Sequence, residues 1–291
     1  MRAHRFLTVL PLLFVLFAVS CKKVRVDENI GRINVETIVE KNDQLFLYSK
    51  KAVVILRPDS SIAESGGIRI VLPDEVLRDS DGVWHLPPRS ANYLKNIFKP
   101  GKLNVETIAI DPGHGGSDPG AISINQKIKE KDLNLDLALK LGSALQQRGF
   151  KVVYTRDDDT TVPLRSRGGK FAADLFISIH HNASKNIAAS GAETYCLLSD
   201  EAVDNAGSIP AFQIACEIQK AQSHASGNYG RGVKFAGFRV LKDARCPAIL
   251  FETGFITHPD EEKRCVSSEY RQIMAEALAQ GIARGVSLSA Q

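Results

Sequence analysis

Five side chains in this sequence have the types and positions to do chemistry together. His114 lies in the stretch IAIDPGHGGSDPGAI, where an apolar run stops at Asp111 and two prolines and four glycines fall in the next nine residues. Such a segment neither coils into a helix nor continues a strand, so it fixes its histidine in a tight loop and keeps bulk away from it. His180 and His181 close the run ADLFISIHH, Glu252 closes PAILFE, and Glu130 lies in the run IKEKDLNL at the entry to a helical stretch. Two histidines and a carboxylate supplied by separate loops form the ligand set of zinc hydrolases, with a fourth position open to water. Glu252 follows AILF directly, where a charge is costly unless it has a partner.

The same residues have plainer readings. His180 and His181 alternate across a strand, so both cannot face one metal, and spacing leaves the choice between them open. Glu130 taken alone is an exposed charge that favours a helix N-terminus. GHGGSDPG lacks both the Walker lysine and the GxGxxG order, which argues against a phosphate cradle. Cys196, Cys216, Cys246 and Cys265 contain no CxxC pair, so no thiolate metal site is expected, and their even number in an exported chain leaves disulfides open.

Elements that would position these groups follow from periodicity. TIAID is a short buried strand. KDLNLDLALKLGSALQQRG carries Leu133, Leu137, Leu141 and Leu145 at helical spacing, and KVVYT is a strand after the stop at Gly149. Strand, helix and strand in this order make a parallel pair joined by a crossover. The pattern recurs through ADLFISIHH, PAFQIACEIQKAQS, PAILFE and EYRQIMAEALAQGIARGV. The expected fold is therefore α/β, a mostly parallel sheet with helices on both faces, over residues 105–291. In such a sheet the loops beyond the strand C-termini converge, which gathers His114, the 180–181 pair and Glu252 on one rim, with Glu130 facing His114.

Residues 22–100 differ. Short alternating runs such as QLFLYS, AVVILRP and GIRIVLP, separated by Gly, Pro and charge, indicate a small strand-rich domain with a linker near 98–104. It resembles the copper-amine-oxidase N-terminal-like modules in rhythm only. His85, its single histidine, is expected to be structural and not a copper ligand.

Residues 1–20 combine Arg2 and Arg5 with an apolar stretch from Phe6 to Val19, shorter than the roughly 20 residues that span a bilayer. This is an export signal. Ala18-Val19-Ser20-Cys21 resembles a bacterial lipobox, which implies cleavage before Cys21, lipid attachment to it and a membrane anchor. Loss of Arg2 and Arg5 lowers the 37 Lys and Arg to 35, against 33 Asp and Glu. A near-neutral mature chain has no general attraction for nucleic acid.

The motifs IAIDPGHGGSDPGA, EKDLNLDLALKL, VVYTRDDDTTVPLRSR, ADLFISIHHNA, GAETYCL and PAILFETGFITHPDEE occur in one order. As a set they resemble the zinc-dependent N-acetylmuramoyl-L-alanine amidases of the amidase-3 type over residues 105–286. The resemblance implies that His114, Glu130 and His180 ligate Zn2+, that Glu252 is the catalytic acid/base, and that His181 is left to packing or rim contacts. It implies hydrolysis of the amide between N-acetylmuramic acid and the L-alanine of the peptidoglycan stem peptide. It also implies a cell-envelope or periplasmic location, with division or cell-wall proteins as partners. A catalytically inactive peptidoglycan-binding lipoprotein is the rival, although such a binder has no need of all four site residues. Three departures from the pattern stand out. Only GGKFA separates Arg167 from Ala173, so a helix there is trimmed; GFITH places His258 near the rim; and the stretch from Cys196 to Arg231 is too short for an added occluding helix.

Overall fold

The computed structural model describes residues 24–50, 52–98, 103–125, 127–197, 208–227 and 230–290. The export signal and Cys21 lie outside these residues, as does most of the expected linker. Among the described residues, no helix is long and apolar enough to cross a membrane.

The first part contains α1 (Glu28–Gly31), β1 (Thr37–Lys41), β2 (Gln44–Tyr48), β3 (Val53–Leu56), β4 (Ser60–Ser65), β5 (Ile68–Arg78), β6 (Trp84–His85) and α2 (Pro88–Phe98). β1 to β5 form an antiparallel meander in chain order, and β6 pairs with β5. The inward positions of β2, namely Leu45 and Leu47, are fully buried, as the alternating pattern requires.

The second part contains β7 (Thr107–Pro112), α3 (Glu130–Gln146), β8 (Lys151–Tyr154), α4 (Leu164–Arg167), β9 (Leu175–Asn182) and β10 (Glu193–Leu197). These are followed by α5 (Ser208–Ser226), β11 (Gly232–Ala236), α6 (Arg239–Asp243), β12 (Ala248–Phe255), α7 (Pro259–Val266) and α8 (Ser268–Ala290). The strand order β11-β10-β12-β9-β7-β8 is parallel at every step except β10–β12, which is antiparallel. β9 reads LFISIHHN and, apart from Ser178, is apolar through Ile179 because both of its faces are covered. On α3, Leu133, Leu137, Leu141 and Leu145 are all buried, which confirms the helical stripe.

The meander does not stand apart from this sheet. β5 runs parallel to β11, with Ile70 beside Val233, and one apolar core extends from Ile30 and Leu45 through Ile108 and Leu141 to Leu278. α4 is a single four-residue turn, in keeping with the short segment before Ala173.

Candidate metal centre

His114 follows β7 after one residue, in a loop held from several sides. Gly113 N–H donates to Ile179 O on β9 at 2.9 Å. Arg156 Nε donates to Pro112 O at 2.9 Å, and its Nη2 donates to Gly113 O at 3.0 Å. Arg167 Nη2 donates to His114 O at 2.6 Å. Under this clamp His114 adopts φ 61°, a left-handed conformation rare for a non-glycine residue and commonest where a site fixes its geometry.

Glu130 is the first residue of α3 and is buried. Its Oε2 accepts from Ala121 N–H at 3.0 Å and lies 3.2 Å from His114 Nε2, while its Oε1 lies 2.9 Å from His180 Nδ1. A helix N-terminus also favours its negative charge. The three side chains each present a donor atom within 4.8 Å of the others, an arrangement able to hold a metal ion. His114 Nδ1 meets Asp118 Oδ2 at 2.8 Å, which fixes the ring and directs Nε2 toward the centre.

The packing is shaped to these groups. Gly120 sits at φ 64°, and a Cβ there would come within 2.6 Å of His114 Cδ2 and 2.7 Å of Glu130 Oε2. A Cβ on Gly113 would collide with the His180 ring. The absence of side chains at Gly113 and Gly120 thus leaves room for the two imidazoles and the Glu130 carboxylate.

Burial works against the charged form of His114, but Glu130 and Asp118 outweigh it and raise its pKa to about 9. The same opposition, burial against Glu130 and Glu252, leaves His180 above its ordinary value. Glu130 resists burial through its two histidine contacts and stays well below the usual carboxylate range.

His181 points the other way, as strand alternation requires. It is buried against α3 with Nδ1 2.8 Å from Asn134 Oδ1, and burial lowers its pKa to about 3, so it stays neutral. Glu252 lies on β12 as the Cα partner of His180. Burial pushes its carboxyl up to about 7, and among the described residues its shielded Oε2 has no hydrogen-bond partner. An unsatisfied carboxylate oxygen beside three converging donors is positioned to exchange a proton with a molecule bound there.

All four expected site residues therefore meet on one rim. His258 does not contribute to the centre: its Nδ1 accepts from Asp260 N–H at 3.2 Å and caps α7. The supporting groups Asp118, Asn134, Arg156 and Asp111 were not singled out as such from sequence. Asp111 is fully buried and accepts from Thr155 Oγ1 at 2.5 Å, Arg167 Nη1 at 2.8 Å and Ser178 Oγ at 2.8 Å. Its place at the end of an apolar strand was the available signal.

An α/β sheet with two histidines, a carboxylate and a second buried carboxylate at its rim defines a hydrolase-type site able to hold a metal. The profile described as N-acetylmuramoyl-L-alanine amidase matches residues 108–284, and the chain belongs to that family. The amidase LytC of Bacillus subtilis is 37% identical over 194 residues, covering 66% of this chain and 36% of LytC. The probable cell wall amidase LytH of Staphylococcus aureus is 35% identical over 189 residues, covering 64% of this chain and 60% of LytH. The chain thus spans about a third of LytC and three fifths of LytH. The crystal structure of an N-acetylmuramoyl-L-alanine amidase from Clostridium difficile 630 superposes with TM-score 0.58 at 36% identity, over 63% of this chain and 98% of that one. The CwlD amidase of Clostridioides difficile, solved in complex with the GerS lipoprotein, gives TM-score 0.57 at 28% identity over 63% and 99%.

Proposed function

We propose that this chain is a zinc-dependent N-acetylmuramoyl-L-alanine amidase that hydrolyses the amide joining N-acetylmuramic acid to the L-alanine of the stem peptide. The observation that carries the reading is Glu252, with its unpartnered Oε2, on the strand next to the convergent donors of His114, Glu130 and His180. The donor set of two imidazoles and one carboxylate suits Zn2+ in a hydrolytic site.

When bound, zinc supplies a Lewis acid that polarises a carbonyl and makes water easier to deprotonate. The chain supplies the rest. His114, Glu130 and His180 fix the cation, and Asp118 orients the His114 ring. Glu252 takes a proton from the attacking water and returns it to the leaving nitrogen, which spares the amine from departing as an anion. Its raised pKa suits both halves of that task near neutral pH.

In this reading residues 1–20 are an export signal, Cys21 carries lipid, residues 22–100 are an accessory unit and residues 105–291 are the catalytic domain. The enzyme then works in the cell envelope, tethered to a membrane, and division or cell-wall proteins are its candidate partners. Digestion of purified peptidoglycan, with mass analysis of the fragments and metal analysis of the enzyme, tests it. Free stem peptides with an alanine N-terminus and zinc in stoichiometric amount are the expected result. Release of disaccharides or of truncated peptides in their place overturns it.

A further inference from the structure

Four residues on four neighbouring strands stand in one row across the sheet. Gly232 on β11 pairs with Glu193 on β10, Glu193 pairs with Glu252 on β12, and Glu252 pairs with His180 on β9. Register partners share a face of the sheet, so the row leads from the candidate metal centre directly to Glu193.

Glu193 is only 2% exposed and gathers four donors. Lys234 Nζ donates to its Oε1 at 2.6 Å, Asn182 Nδ2 donates to Oε2 at 3.2 Å, and Arg231 Nε and the Tyr195 hydroxyl complete the set. Two cations thus surround one carboxylate. Arg231 spends only its Nε on Glu193 among the described residues; its side chain is 41% exposed. Its backbone N–H is tied to Ala192 O at 2.7 Å, and its guanidinium lies 5.3 Å from the centroid of the Phe255 ring on β12. The guanidinium is therefore braced between β10 and the end of the strand that carries Glu252. Terminal nitrogens in a fixed fork, open to solvent, match a carboxylate bidentately.

Resting on the amidase reading above, we propose that Arg231 and Lys234, seated on Glu193, bind a carboxylate on the peptide arm of the substrate. Two strand spacings separate His180 from Glu193, roughly 10 Å, which equals about three residues of extended peptide. Allowing for the reach of the arginine side chain, the acidic group belongs to the second residue beyond the bond that is cut. Glu193 is then a positioning residue: it keeps both cations on the substrate face and leaves one positive charge in excess. Glu252, between the two sites, serves the amide itself.

The test uses the full chain loaded with zinc and two synthetic muramoyl peptides. They differ only in whether the second residue after the cut carries a free α-carboxylate or a carboxamide. Wild-type protein is expected to favour the carboxylate substrate by about tenfold or more in kcat/KM, a usual size for a charge-assisted pair. In Arg231→Gln and Lys234→Met that preference should collapse toward one, because the rate on the carboxylate substrate falls much further than the rate on the carboxamide. Arg231→Lys should restore part of it. Calorimetric binding of the two corresponding free peptides to the wild type and variants gives the same comparison without turnover. If the wild type cleaves neither substrate but still binds the acidic peptide more tightly through Arg231, the amidase reading falls and the carboxylate site stands. Equal preference in the wild type, or variants that weaken both peptides in proportion, overturns the proposal and leaves Arg231 and Lys234 as neutralisers of Glu193.

Discussion

Glu252 and His180 are Cα partners on adjacent parallel strands, which brings a buried carboxylate oxygen that has no hydrogen-bond partner among the described residues beside a candidate metal ligand. Because Glu252 is not among the three convergent donors, its roles in metal retention and in turnover are separable. Glu252→Ala should keep zinc at the wild-type ratio yet lose about 100- to 10,000-fold in turnover, the usual worth of a general acid/base. Metal analysis and hydrolysis rates on the same preparation check this. A variant that cleaves at the normal rate removes Glu252 from the mechanism.

His114→Ala should lose both metal and activity, since two donors hold zinc far more weakly than three. Asp118→Asn is the finer probe. It alters the group at His114 Nδ1 and leaves the Nε2 donor in place, so metal affinity should drop about 10- to 100-fold. Competition against a chelator of known affinity reads the difference, and an unchanged affinity means that the Asp118 contact does not orient the ring.

Much of the centre could be read from the chain because each candidate ligand lies at or near the end of an element with strong punctuation. Gly and Pro flank His114, an apolar strand precedes His180, and Glu130 starts a leucine stripe. The choice of His180 over His181 came from family resemblance, and the structure explains it: His181 faces α3 and finds Asn134. The supporting contacts could not be read, because Asp118, Arg156 and Arg167 act through backbone carbonyls and ring nitrogens whose meeting depends on loop geometry. β5 joining β11 was hidden for a related reason, since strand pairing across an irregular segment is set by tertiary packing. His258 follows the end of β12 by three residues, and Pro259 with the three acidic residues behind it marks the helix start that it caps in the structure.

Protonation of the two histidines gives opposite pH trends with and without metal. In protein stripped by chelator, His114 is raised from 6.5 to about 9 through Glu130 and Asp118 against the opposing effect of burial. The stabilisation from those contacts is fully present below about 6.5 and is lost as pH rises through about 9. Zinc must displace the same protons, so its affinity should instead strengthen with rising pH across that window. Melting of the stripped protein and calorimetry of zinc binding in buffers of different ionisation enthalpy check both signs. Zinc binding without proton release contradicts the argument.

Arg167 joins stability to the site through one buried guanidinium. Its Nη1 donates to Asp111 Oδ1 at 2.8 Å and Pro112 O at 2.9 Å, and its Nη2 donates to the carbonyl of His114. Asp111 is fully enclosed, so Arg167→Ala leaves a carboxylate without its cation in the interior, a change that costs about 3–5 kcal/mol where it has been measured. The same substitution frees the His114 peptide, whose left-handed conformation needs outside support. Urea unfolding should therefore show a loss of that order, accompanied by weaker zinc binding. Asp111→Asn with Arg167→Met, which removes both charges, should recover part of the stability without restoring the hold on His114. Full recovery of zinc affinity in the double variant would show that Arg167 acts only as a counter-ion for Asp111.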